Sequence, residues 1–169
     1  MILGREICKL FDGININSRA VQTNMGNQDA LDKFIAESDK KKSSKYPLIF
    51  YVTNKVYRIE NDWRFCKTDL ILLMNTDSNL LYKERTDKTY VPYIDPLYQM
   101  VTELLNREPH LQVFGRTIGE KYPYIDRPNY GIVKGDVGSR KSNKSVVTDY
   151  VDARIINLDF KININCINN

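Results

Sequence analysis

The sequence predicts an α+β fold, a mainly antiparallel sheet packed by helices on one side, and three observations predict it. Ile156, Leu158, Phe160, Ile162 and Ile164 alternate with polar residues at a period of two, which marks a strand with one buried and one wet face. Strand-like apolar blocks cluster between Pro47 and Asn75 with no helical stretch between them. Apolar residues at helical spacing appear near the N-terminus and again between Tyr93 and Asn106. Clustered strands with few helices between them favour antiparallel pairing over alternating βαβ units.

In chain order, Ile7, Leu10, Phe11 and Ile14 predict a helix over about 2–11, ending near Gly13. A polar stretch rich in Asn and Ser follows. A second amphipathic helix is expected over about 28–38, with Leu31, Phe34 and Ile35 on one face and Asn27 as its N-cap. The run Lys40–Lys45 reads as a charged connector. Pro47 opens a strand through Leu48–Val52, a short strand fits Val56–Glu60, and Thr68–Asn75 reads as a strand covered on both faces. Residues 78–88 read as a polar loop. A helix follows over 93–106, with Asp95 as N-cap, Pro96 at its first turn and Pro109 beyond its end. Leu111–Phe114 suggests another strand.

Residues 117–145 carry glycine at 119, 131, 135 and 138 and show no periodicity, so they read as a long extended loop or arm. Val147, Val151, Ala153 and Ile155 alternate in the opposite phase to the residues after Ile156, which predicts a bulge or bend near 155–156. The expectation is one domain over 1–169, with a helical N-terminal part over 1–44 and the arm over 117–145.

The chain has 169 residues, 42% of them hydrophobic and 27% charged, enough for one buried core. No apolar run approaches the roughly 18–20 residues of a membrane-spanning helix, so no membrane partner is expected. Arg5, Glu6 and Lys9 interrupt any signal-peptide core, so the chain is expected to stay where it is made. Cys8, Cys66 and Cys166 lie far apart without metal-site spacing, and reduced thiols are expected. The net charge of +4 arises from local clusters, Lys40–Lys45 and Lys134–Lys144.

Catalytic patterns do not assemble. His110, the single histidine and so the only candidate base of that kind, follows Pro109 at a helix end, where a solvated or capping role is expected. Asp159-Phe160-Lys161 matches the tail of a nuclease pattern that needs a second carboxylate near one Mg²⁺. The upstream acids Asp149 and Asp152 lie on the same extended segment, about 33 Å and about 23 Å away at roughly 3.3 Å per residue. Gly135-Asp136-Val137-Gly138 lacks the flanking helices of a GxxG nucleic-acid clamp, and Gly138–Ser142 lacks phosphate-loop spacing. Asn143-Lys144-Ser145 is a formal glycosylation acceptor without an accompanying secretion signal. No catalytic, metal or cofactor residues are therefore assigned.

The richest contact candidate is the arm. Tyr122, Tyr124 and Tyr130 interleave with Arg127, a composition suited to a protein interface or to stacking on single-stranded nucleic acid. Lys134, Arg140, Lys141 and Lys144 add a basic end that suits an acidic neighbour or DNA.

Tyr46-Pro47-Leu48-Ile49-Phe50, then Asp69-Leu70-Ile71-Leu72-Leu73, then Glu84-Arg85, form an ordered series. It continues with Tyr90, Pro92, Ile94, Pro96 and Leu97, and closes on Asp149-Tyr150-Val151-Asp152-Ala153. This order, from Lys45 onward, resembles the small neck or tail-completion proteins of tailed bacteriophages, the tail-terminator-like class of head–tail connector. The resemblance implies a virion protein, made in the host cytoplasm, that forms a homo-oligomeric ring against portal, neck or tail proteins around passing DNA. It brings no catalytic residues. The alternative is a nucleic-acid-binding module using residues 134–144, and a small hydrolase is a third reading.

Overall fold

The computed structural model describes residues 2–36, 45–53, 56–77, 79–114, 122–130 and 150–163. Its centre is a pair of 13-residue antiparallel strands, β6 (Trp63–Asn75) and β9 (Val151–Asn163). Short strands flank this spine end to end. Along β6 run β4 (Leu48–Val52) and β5 (Val56–Glu60); along β9 run β7 (Leu111–Val113) and β8 (Tyr124–Tyr130). Outside β4 lies β3 (Gln22–Gly26), which is the parallel member of a seven-stranded, otherwise antiparallel sheet. The α+β class and the mostly antiparallel sheet agree with the sequence.

The helices divide between the two faces of the sheet. Helix α1 (Ile2–Lys9) and helix α4 (Asp95–Arg107) bury Ile7, Leu97, Tyr98, Val101 and Leu105 against Ile49, Tyr51, Leu70, Leu72 and Ile156. Helix α2 (Gln28–Ala36) buries Leu31 and Ile35 against Leu48, Phe50, Ile71 and Leu73, the residues of the opposite parity. The helices are thus not all on one side. Gly26 permits this at the β3–α2 junction, since a Cβ there would lie 2.7 Å from the Ala30 Cβ. The N-cap reading of α2 holds: Asn27 Oδ1 accepts the N–H of Ala30 at 2.9 Å.

Because both faces are covered around Leu70–Leu73, that stretch is apolar throughout. The same two-sided burial explains the phase change in β9. Val151 and Ala153 enter the α2-side core, whereas Ile156, Leu158, Phe160 and Ile162 enter the α4-side core. The β6–β9 register runs unbroken from Asn75↔Val151 to Trp63↔Asn163, so the expected bulge near 155–156 is absent from this ladder. The apolar phase shifts because the strand passes from one core to the other.

Other elements also depart from expectation. The polar stretch in the N-terminal part forms the hairpin β1 (Asn15–Ile16)/β2 (Arg19–Ala20) and then β3, so residues 1–44 are not purely helical. Asn17 and Ser18 make the two-residue turn, both at positive φ (48° and 64°), the geometry that matches the twist of a tight hairpin. β6 begins at Trp63, before the expected Thr68. The expected loop over 78–88 is mostly helical: α3 (Tyr82–Arg85) leads into a π-helical segment, Thr86–Ile94, and on into α4. Pro92 lies inside that segment, where it supplies no N–H and its ring crowds the preceding turn. The helix widens there, and the N–H of Asp95 donates to the Tyr90 carbonyl, five residues back. Asp95 is therefore mid-helix and not an N-cap.

The largest departure is β8. Part of the segment read as a structureless arm pairs with β9, Tyr124↔Ile156 through Arg127↔Ala153. A register shift follows around Pro128, which has no N–H for the ladder, and pairing resumes at Tyr130↔Val151. Residues 131–149 thus connect two strand ends that the sheet itself holds together.

Candidate assembly interface

Only part of the predicted tyrosine set is available for contact. Tyr122 is 2% exposed and belongs to the core beside α4. Its hydroxyl donates to Asn106 Oδ1 at 3.0 Å, and its carbonyl accepts from the Tyr98 hydroxyl. It anchors the start of β8 and is no partner contact. Tyr130 is half-buried, hydrogen-bonded to the Gln28 side chain, and burial raises its pKa. Tyr124 and Arg127 are exposed on β8. Lys134, Arg140, Lys141 and Lys144 lie outside the described residues.

β8 is fixed by charge buried beneath it. Arg154 donates from Nε to Asp126 Oδ1 and from Nη1 to Asp95 Oδ1, both at 2.7 Å. Its guanidinium carbon sits 3.9 Å from the centre of the Tyr124 ring, with Tyr90 and Tyr98 around it. Burial pulls the Arg154 pKa down, but the hydrogen bonds it donates to Asp126 and Asp95, with the attraction of the Asp126 charge, outweigh that and raise it. Next to it, Asp152 is fully buried. It accepts from Arg85 Nη1 at 2.6 Å and from the backbone N–H of Asn129 at 3.0 Å. Arg85 also donates from Nε to the Leu80 carbonyl (3.0 Å) and from Nη2 to the Asp77 carbonyl (3.1 Å). These pairs bind the α3–α4 helical run, β8 and β9 to one another.

Besides Leu81, Tyr82 and Val91 on the helical run, exposed apolar side chains lie on two outer strands of the sheet. On β8, Tyr124 and Ile125 are 44% and 48% exposed. On β5, at the other margin of the sheet, Val56, Tyr57 and Ile59 are 41%, 52% and 61% exposed. Sequence reasoning missed Ile125 and the β5 residues, because a short run of β-branched and aromatic residues looks the same on an edge as in a core. The exposure of Tyr124 was legible.

The nuclease-like residues do not converge. Asp152 points to the α4 face, whereas Asp159 has the opposite parity and pairs with Lys67 (3.3 Å) and the Tyr57 hydroxyl (2.9 Å). Asp149 lies outside the described residues. Asp69, which the sequence reading did not consider, neighbours Asp159 diagonally and accepts a hydrogen bond from Asn157. Lys67, Asp69, Asn157 and Asp159 line a shallow groove of about 590 Å³. Among the described residues no group of three or more His, Cys, Asp or Glu gathers as a metal site. His110 lies in the turn between α4 and β7, where its N–H donates to the Glu108 carboxylate.

The chain matches no protein-family model and no curated protein.

Proposed function

We propose that the protein is a structural assembly component, a ring-forming neck or tail-completion subunit that joins a phage head to its tail. The observation that carries this reading is the placement of exposed apolar side chains on two outer strands, β5 and β8. An outer strand offers unpaired N–H and C=O groups, and monomeric proteins normally guard such edges with charge, proline or cover. β5 carries Arg58 and Glu60 and β8 carries Asp126, Arg127 and Pro128 as such guards; the exposed apolar residues set among them fit a protein that hands its sheet to a neighbour. The Arg154–Asp126 ion pair and the hydrogen bond from the Asn129 N–H to Asp152 hold β8 in place before any partner arrives, which lowers the ordering cost of association. No side chain in this reading performs bond chemistry.

Negative-stain electron microscopy of the purified chain at micromolar concentration tests the proposal. Closed rings of uniform diameter support it. A field of single small particles at every concentration, alone and with portal or tail proteins, overturns it. A second reading, nucleic-acid binding, has one observation in its favour: the basic positions Lys134, Arg140, Lys141 and Lys144 all fall in the single connection between β8 and β9. Binding to DNA that weakens steeply with added salt, by a chain that stays monomeric, favours it.

A further inference from the structure

We infer that the ring closes through one sheet pairing, the outer edge of β8 in one copy against the outer edge of β5 in the next. This rests on the assembly reading above and specifies its surface. β5 borders β6 and β8 borders β9, so the two strands lie on opposite margins of the same sheet. Among the described residues neither has a second neighbour.

Direction favours the match. β5 is antiparallel to β6 and β8 is antiparallel to β9, while β6 and β9 are antiparallel to each other. β5 therefore runs with β9, and β8 runs with β6. A second copy added in the same orientation sets β8 against β5 as an antiparallel pair, whose hydrogen bonds are the better aligned kind. The joined edges are different surfaces, so the contact is heterologous and propagates from copy to copy until it closes.

The side-chain faces also agree. Tyr124 pairs with Ile156 and Ile59 with Arg64, which puts both on the face that carries α4. Ile125 pairs with Ile155 and Arg58 with Phe65, which puts both on the opposite face. A register with Tyr124 opposite Ile59 also sets Ile125 opposite Arg58, so the two exposed apolar residues of β8 each meet a β5 residue on their own face. Cross-strand aromatic–aliphatic pairs of this kind stabilise antiparallel sheets.

The two edges sit at opposite ends of the spine. β5 covers Trp63–Cys66, while β8 covers the end of β9 that faces Leu70–Asn75. Successive copies are thus staggered along the strand by about 20–25 Å at roughly 3.3 Å per residue. That stagger leaves room for β3 and β4 beyond the end of the neighbour's β8, and it tilts the strands relative to the ring axis as shear does in a closed barrel.

Two variants test this in the full chain. Ile59→Cys combined with Tyr124→Cys, assembled and then oxidised, gives a ladder of covalent multimers that neither single variant gives. Ile59→Lys combined with Ile125→Lys, at two exposed positions outside the core, keeps the thermal midpoint of the monomer. It raises the concentration for half-assembly at least tenfold. If both variants form full-size rings and no ladder appears, the assembly reading stands and this pairing is wrong. If the unaltered chain never associates, both fall.

Discussion

Arg85 and Asp152 meet across 67 residues of sequence, inside the protein, with exposures of 4% and 0%. A buried ion pair of this kind is a poor source of net stability, yet removing one partner strands the other charge. Arg85→Ala should therefore lower unfolding free energy by about 3–5 kcal/mol, measured by urea denaturation. Such partners are hard to read from sequence, because charged residues on an alternating strand are assigned to solvent by default. Asp152 and Arg154 of β9 are buried beside β8 and are not part of a wet face. Cys8 gives a pH prediction. Burial, and then the nearby Asp12 carboxylate, raise its pKa from 9.0 to about 11. The unfolded chain releases this proton first, so the contribution is complete below pH 9 and is lost as pH climbs toward 11. Burial raises the pKa values of Tyr51 and Tyr90 as well, which pushes in the same direction. The melting temperature should fall steadily from pH 9 to 11, and Cys8→Ala should flatten the first part of that fall.

At the scale of elements, β9 was the most legible and also the most instructive. Its alternation after Ile156 identified the buried residues correctly: Leu158 is 3% exposed and Phe160 is 0%. Phe160→Ala should cost about 3–5 kcal/mol through the cavity it leaves, seen as a lower denaturation midpoint with unchanged slope. Asn157 is exposed and donates to Asp69. Asn157→Asp replaces that bond with a like-charge contact, so it should destabilise by less than about 1 kcal/mol at neutral pH and less still in high salt. Equal losses for both variants would contradict the assignment of faces. The bulge was inferred from a real phase change, but a strand that switches cores produces the same pattern as one that bends. β3 and β8 were missed for a related reason. Gln22–Gly26 is polar because β3 lies at the sheet margin, and Pro128 breaks the alternation of β8. The π-helical run was hidden by Pro92, a residue that ordinarily argues for a helix boundary.

For the whole molecule, the fold class followed from composition of elements, whereas the division of helices between faces did not. One amphipathic helix reveals that it has a buried side but not which side of the sheet it covers. The same limit applies to the interface. Tyr124 and Arg127, expected as contact residues, are exposed on β8, and Tyr122 was not separable from them until its place beside α4 was known. The central proposal is that this chain joins copies of itself. Native mass spectrometry across a concentration series from nanomolar to tens of micromolar measures that claim directly. The account predicts a monomer at the low end and a single dominant closed oligomer at the high end, with few intermediates. A monomer throughout the series, or an open-ended distribution with no preferred size, would contradict it.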